Sequence, residues 1–367
     1  MTRTAVAMFS GGLDSCLAAA VVRAQGVRVV LFHMKSVFAR SGLDGTPHPE
    51  VTAAAEALGL GLHAEEWTDE LLGLVRAPAH GLGKHRNPCI DCRIATIRHA
   101  EAHRVRIGAD FLVSGEVLGQ RPMSQNRNAM AQIDKATGLA DRLLRPLSAR
   151  FLDPTLPERE GWVDRDRLPA IRGRGRQEQI RLAAALGVAR YGAPAGGCLL
   201  TEALFCRKFD DLLAHRPDAD AGEMRLLAVG RHFRLDPQTR AVSGRDEGEN
   251  DWLERLTRPG DRLYQTVQEP GSIILLRTDP PPPGAADAEP SGPAATAPPV
   301  EAPDAAAVRT AAGLAVHYSR NRTRGTADVE ERAAGDPPGA GRRLDAVESV
   351  DPTTLDNPAA NPFRAGG

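Results

Sequence analysis

The stretch MFSGGLDSCLAAAVV, beginning at Met8, restricts the fold more than any other part of the chain. Residues 4–9 (TAVAMF) read as a buried strand, and residues 13–25 read as a helix closed by Gly26. A strand, two glycines and a helix in that order expose the first N–H groups of the helix. Those amides lack intrahelical partners, and the helix dipole at that end favours an anion. Gly11 and Gly12 allow the backbone to approach a phosphate closely, Ser10 and Ser15 add hydroxyl donors, and Asp14 can hold a metal ion or orient the loop. The stretch is neither a Walker loop, which needs Gly-Lys-Ser/Thr, nor a GxGxxG fingerprint. The plain structural alternative is a glycine turn that caps an ordinary helix.

The same alternation continues downstream. Residues 27–34 read as a second strand, 49–58 as a helix closed by Gly59, 92–105 as a helix, 109–115 as a strand and 176–186 as a helix. Strands alternating with helices predict a parallel α/β sheet, with ligands at the carboxyl ends of its strands. Ser10 and Gly115 fall at two such ends. The 367 residues suffice for two domains. Near 204 the pattern changes to short strand-like segments between turns, as expected of a smaller α+β domain. Residues 279–303 form a Pro/Ala linker that cannot pack a core, and an amphipathic stretch, 304–320, follows. The expected division is 1–205, then 206–330 interrupted by that linker, then a disordered tail, 331–367.

A net charge of −1 gives no global signal for nucleic acid, so any basic surface must be local. The run IRGRGRQEQIR supplies Arg172, Arg174 and Arg176, which can track a phosphate backbone or form a solvated face. No charged segment precedes a long apolar run at the N-terminus, and no apolar run reaches about 18 residues. The expectation is a cytoplasmic protein with no membrane partner, in which Cys-x-x-Cys serves metal or redox chemistry.

Cys89 and Cys92 lie in RNPCIDCRIATIRHA, and Cys198 lies in APAGGCLLT. Three accessible thiols can hold three irons of a [4Fe-4S] cluster and leave one iron open. They also make three-quarters of a zinc site, with His85 or His99 as the fourth ligand. Cys16 and Cys206 read as core residues. The loop SGEVLGQRPMSQN offers Gly115 for close approach of a nucleotide, with Glu116, Gln120, Arg121, Ser124 and Gln125 as polar groups. Arg121 can stabilise charge developing on a phosphate, though an ordinary polar loop would look the same. His33 and Lys35 end the second strand, and His33 by itself reads as packed rather than catalytic.

SGGLDS resembles the PP-loop of the ATP pyrophosphatase superfamily, which implies an adenine nucleotide alpha hydrolase-like fold. With NPCIDCRI, SGEVLGQRPMSQ and PAGGCLLT it is similar to the tRNA thiouridine synthetase-like group, over residues 3–205. That resemblance implies ATP and Mg²⁺, adenylation of a uridine carbonyl oxygen on tRNA, release of pyrophosphate, and displacement of AMP by sulfur. It implies Ser10, Gly11, Gly12, Asp14, Ser15, His33, Gly115, Gln120 and Arg121 for ATP. It implies Cys89, Cys92 and Cys198 for a [4Fe-4S] cluster, with Cys89, Cys198 and Asp14 catalytic. In the competing mode Cys198 carries a persulfide that Cys89 resolves. The sulfur donor would be sulfide or a persulfide carrier, and a homodimer is among the expectations. A nitrogen nucleophile, or a non-catalytic RNA-binding role on the ribosome, are the alternatives.

GRHFRL, AVSGRDEGENDWL, EPGSIILLR and AAGLAVHYSRNR, in that order, resemble the RNA-binding domain of the NFACT family. The matched positions are Gly244, Arg245, Asn250, His317, Tyr318, Ser319 and Arg322. Arg231, Arg234, Arg245, Arg320 and Arg322 can contact phosphates, and Tyr318 can stack on a base. Acidic neighbours Asp246, Glu247 and Glu249 argue against a simple basic patch, and a structural α+β appendage is the alternative.

Overall fold

The computed structural model describes residues 2–39, 43–192, 197–269, 271–279, 303–319, 323–352 and 355. The chain divides into two compact units, Met1–Glu202 and Ala203–Gly367.

The first unit contains β1 (Thr4–Met8), α1 (Leu13–Arg23), β2 (Arg28–Lys35), α2 (Pro49–Leu58), β3 (Leu62–Glu66), α3 (Thr68–Arg76), α4 (Cys89–Arg106), β4 (Phe111–Ser114), α5 (Arg127–Thr137), β5 (Leu143–Leu144), α6 (Leu156–Arg159) and α7 (Gln177–Ala185). Its sheet has the order β3-β2-β1-β4-β5, and all pairings are parallel. The chain builds outward from β1 to β3, then returns to the other side of β1 for β4 and β5. That reversal opens a crevice between the carboxyl ends of β1 and β4, where doubly wound sheets bind ligands. The short strands carry Ala, Val, Leu and Phe on both faces because helices cover both. In α1, Leu13 and the run from Ser15 to Val22 are buried, so this helix is apolar almost all round, as a helix in the centre of a layer must be.

The second unit contains α8 (Ala203–His215), α9 (Ala221–Leu227), β6 (Arg231–Arg234), β7 (Thr239–Ser243), α10 (Glu247–Arg255), β8 (Arg262–Thr266), β9 (Ile274–Thr278), α11 (Ala305–His317), β10 (Thr326–Ala333) and β11 (Arg342–Glu348). Its sheet is antiparallel, in the order β11-β10-β8-β9-β7-β6. Ala311, Ala312, Leu314, Ala315 and Val316 of α11 close a core with Phe233, Tyr264, Ile274, Leu276 and Val329.

The expected disordered tail, 331–367, needs correction. Residues through Ala333 complete β10, and β11 forms the edge of the sheet. The sequence RRLDAVE hides this strand because an edge exposes one row of backbone groups to water and carries charge. Arg342 pairs with Glu331 at 2.6 Å, and Arg343 pairs with Asp328, so charged pairs tie β11 to β10. Residues 280–302 of the linker and 356–367 lie outside the described residues. No helix among the described residues is long and apolar enough to cross a membrane.

Candidate active site

The junction between β1 and α1 has the geometry its glycines imply. Gly11 has φ +73°, and a Cβ there would sit 2.8 Å from Val51 Cα, so only glycine fits. Gly12 is the N-cap of α1 with no side-chain cap, which leaves the first amides of the helix available. Ser15 Oγ donates to the Gly12 carbonyl at 2.8 Å, and the Ser10 N–H donates to Ser15 Oγ at 3.3 Å. These bonds set the curve of the loop.

The loop after β4 closes on this turn. A Cβ on Gly115 would lie 2.7 Å from Ser15 N and 2.8 Å from the Asp14 carbonyl carbon, so the two backbones touch. Gln120 Nε2 donates to Asp14 Oδ2 at 2.5 Å, and Gln179 Nε2 of α7 donates to Gln120 Oε1 at 3.0 Å. Asp14 Oδ1 is buried and has no protein partner. A carboxylate oxygen held in that state beside a glycine cradle fits a cation bound with phosphate. His33 sits under the loop: its Nδ1 bonds the Phe9 carbonyl at 2.8 Å, its Nε2 has no protein partner, and burial lowers its pKa. Glu116 faces away from this crevice. It is 1 % exposed and pairs with Arg145 at 2.8 Å and Arg93 at 3.1 Å, which hold its carboxyl below its usual range against the effect of burial.

Cys89 and Cys92 occupy the first turn of α4. Asp91, between them, accepts from the His80 N–H at 3.1 Å and bonds the His80 ring at 2.6 Å, which pins the preceding loop to the helix. Cys89 Sγ lies 2.9 Å from Asn87 Oδ1. Burial pushes both thiols up, Cys92 to about 11, while Arg93 and Arg121 pull the other way. Arg121, expected at the ATP phosphates, is exposed and acts on these two thiols.

Two segments around Cys198 make contacts with these regions. Upstream, the Gly192 N–H donates to the Gly11 carbonyl at 2.8 Å, and Gly12 and Gly192 form a parallel bridge. Downstream, the Leu200 carbonyl accepts from Arg86 N–H at 3.2 Å, in the loop that leads to Cys89. Cys89 and Cys92 on one side and Cys198 on the other thus lie on two hydrogen-bonded segments. Their sulfurs do not form a group within 4.8 Å, since the one such group of His, Cys, Asp and Glu among the described residues is His63, Glu65 and His103. Zn–S bonds of about 2.3 Å would need closer sulfurs. A cluster, in which each thiolate holds a different iron, accepts a wider triangle. His99 is unsuited to complete a thiol site, because its ring nitrogens face Glu65 at 3.3 Å and Glu70 at 2.7 Å. Cys16 and Cys206 are buried core residues, and burial pushes the Cys16 thiol up to about 12.

The basic residues separate into two groups. Arg172 and Arg174 are exposed, with the Arg172 guanidinium 4.9 Å from the centre of the Phe151 ring. Arg176 instead approaches Asp14 at 4.0 Å, so it belongs to the phosphate turn rather than to an outer surface. In the second unit, Arg234 is buried on Asp211 at 2.7 Å and is corrected to a structural residue. Arg245 pairs with Glu249 one helical turn on, and remains half exposed. Arg231 stacks on Tyr318 at 5.0 Å, which covers one face of that ring. Asn250 bonds the Ile273 N–H at 2.9 Å and the Gly271 carbonyl at 3.1 Å, a pin between loops. Arg320 and Arg322 lie outside the described residues.

Sequence reasoning missed Asp91, Gln179 and Gly192. Nothing in their local patterns marks them, because each acts on a segment distant in the chain.

Residues 1–150 match the family model described as Thiamine biosynthesis protein (ThiI), and residues 230–290 match that of the NFACT protein RNA binding domain. Nothing among the curated proteins matches. Solved structures give loose likenesses. A 4-thiouridine synthetase–RNA complex with bound ATP shares 19% identity over 51% of this chain and 52% of its own, with a TM-score of 0.31. The U34-tRNA thiolase NcsA from Methanococcus maripaludis with its [4Fe-4S] cluster shares 16% over 62% and 70%, with a TM-score of 0.31. The C-terminal part of the fibronectin/fibrinogen-binding protein from Streptococcus suis shares 14% over 48% and 76%, with a TM-score of 0.24. At these scores the likenesses carry no residue correspondence.

Proposed function

With a first unit that matches the ThiI family model and a second that matches an NFACT RNA-binding model, we propose that this chain is an ATP-dependent tRNA sulfurtransferase. The observation that supports the proposal is that the segment of Cys198 is hydrogen-bonded, through Leu200, to the loop before Cys89. Gly192 is bonded to the phosphate turn and Leu200 to the loop before Cys89. On this reading the thiols and the ATP-activating turn serve one reaction.

The chemistry divides among the residues as follows. The amides at Gly11, Gly12 and the start of α1, with the Ser10 and Ser15 hydroxyls, hold the phosphates of ATP. Asp14 Oδ1 fits Mg²⁺ travelling with the pyrophosphate, and Gln120 and Gln179 fix the rotamer of that carboxylate. Arg176 offsets negative charge as the bond between the α and β phosphates breaks. His33 and the close approach at Gly115 shape the adenosine side of the crevice. The uridine carbonyl oxygen takes the adenylyl group, pyrophosphate leaves, and sulfur then displaces AMP. Cys89, Cys92 and Cys198 would hold a [4Fe-4S] cluster, which would present sulfide taken from the donor in a deprotonated, nucleophilic form. Arg93 and Arg121 favour the thiolates that such binding requires. Arg172 and Arg174, with Arg245 and Tyr318 of the second unit, are the proposed RNA contacts.

The test is mass spectrometry of tRNA nucleosides from cells with and without the gene, with Cys198→Ala as complement. We expect one thionucleoside to disappear and Cys198→Ala to fail to restore it while the purified variant still binds ATP. Full restoration by Cys198→Ala would sink the assignment.

A further inference from the structure

A second group of donors lies at the other end of α4, away from the phosphate turn. His63 and Glu65 alternate on β3, so both point to the face that α4 covers. His99 and His103 are four residues apart on α4 and share one face of it. One ligand atom each from His63, Glu65 and His103 lies within 4.8 Å of the others. The guanidinium of Arg106 reaches into this group. Its Nη2 lies 3.0 Å from His63 Nε2, 3.2 Å from Glu65 Oε1 and 2.6 Å from His103 Nδ1. One nitrogen of a cation thus sits where the three donor atoms converge.

Hydrogen bonding cannot satisfy every contact in this arrangement. His63 Nε2 lies 2.9 Å from Glu65 Oε1, which asks it for a proton, and 3.0 Å from an arginine nitrogen, which asks it for a lone pair. Either tautomer leaves one contact unmet. A metal ion at the position of Nη2 resolves the conflict, because two imidazole lone pairs and a carboxylate oxygen can all face it. The outer groups suit such an ion as well. His99 Nδ1 lies 3.3 Å from Glu65 Oε2, the oxygen turned away from Arg106, and Glu70 holds His99 Nε2 at 2.7 Å. A carboxylate–imidazole–carboxylate chain of this kind orients a metal-binding glutamate. The rings of His63 and His103 are stacked at 4.2 Å and packed on Phe32, which fixes both. Arg106 is 58 % exposed, so its head can move to water.

We propose that His63, Glu65 and His103 bind a divalent transition metal of the zinc class, and that Arg106 holds its place when the metal is absent. The metal would fasten α4, the helix that carries Cys89 and Cys92, to β3. This proposal stands on geometry independent of the sulfur chemistry.

The test uses the full chain with Cys89, Cys92 and Cys198 all changed to Ser, so that no thiol site competes. Zn²⁺ is titrated against a chromogenic chelator, and Co²⁺ serves as the spectroscopic probe. The expected result is one equivalent bound, with Co²⁺ bands of nitrogen and oxygen ligation and no thiolate charge transfer. Affinity falls at least about tenfold in His63→Gln and in Glu65→Gln, and rises in Arg106→Ala. Both His63 and Glu65 are partly exposed, so these variants are expected to fold, as circular dichroism would verify. No binding in the triple-Ser chain, or binding that His63→Gln and Glu65→Gln leave unchanged, would overturn the site. Unchanged affinity in Arg106→Ala would overturn the place-holding role.

Discussion

Gly115 shows how much a single missing Cβ can decide. Its neighbours are backbone atoms of the first turn of α1, at 2.7 and 2.8 Å, and backbone cannot rotate aside as a side chain can. Gly115→Ala should push the loop after β4 off the phosphate turn and weaken ATP binding at least tenfold, or about 1.4 kcal/mol. Isothermal titration with ATP checks this, and an unchanged affinity would place the phosphates elsewhere. Asp14, Ser10 and Ser15 were legible because they stand in one motif. Arg121 was expected at the ATP phosphates and Arg176 at an RNA surface. Arg121 acts on the thiols, and Arg176 stands beside Asp14. A long side chain reaches well beyond its own loop, so sequence position alone cannot say which charge it meets.

At the scale of elements, the loop after β4 is held from behind by a buried ion cluster. Arg145, 4 % exposed, binds Glu116 at 2.8 Å and Asp134 of α5 at 2.7 Å. Removing one partner of a buried pair leaves the other charge uncompensated, at a cost of about 3–5 kcal/mol. Arg145→Met should therefore lower the unfolding free energy of the first unit in urea by that amount, and a loss under about 1 kcal/mol would show that Arg93 alone satisfies Glu116. The strongly periodic elements, β1, α1, β2, α2 and α4, were legible to within a few residues. Short β5, of two residues, and polar β3 were not, because their pairing rather than their composition makes them strands. The same holds for β11, whose charges look like those of a solvated tail until β10 lies beside it.

For the whole molecule, each unit joins an apolar core to a buried ion cluster, and the second unit's cluster is the more extensive. The first rests on an apolar core around α1. The second buries Glu223 among Arg240, Arg277 and Arg258. Burial opposes the charge on Glu223, but the three guanidiniums outweigh it and bring its carboxyl down from 4.5 to about 2. A carboxyl depressed by folding contributes stability above its unfolded value and loses it as pH falls toward the folded one. The second unit should thus lose about 3 kcal/mol between pH 4.5 and about 2. In calorimetry of the full chain, Glu223→Gln should lower one transition at pH 7 and leave it nearly unchanged at pH 2. A deficit that persists undiminished at pH 2 would mean that packing, not charge, holds this cluster.

By itself the sequence determined the strand-glycine-helix turn, the alternation that makes a parallel sheet, and the spacing of Cys89 and Cys92. All of these are local: a φ of +73° at Gly11, an apolar period or a cysteine spacing is written in neighbouring residues. Only the tertiary structure decided that Gly192 bonds the phosphate turn and that Leu200, two residues after Cys198, bonds the loop before Cys89. It alone set Arg106 among His63, Glu65 and His103. Those contacts join segments far apart in the chain, and their energy comes from burial and hydrogen bonding that exist only once the sheet has brought the segments together.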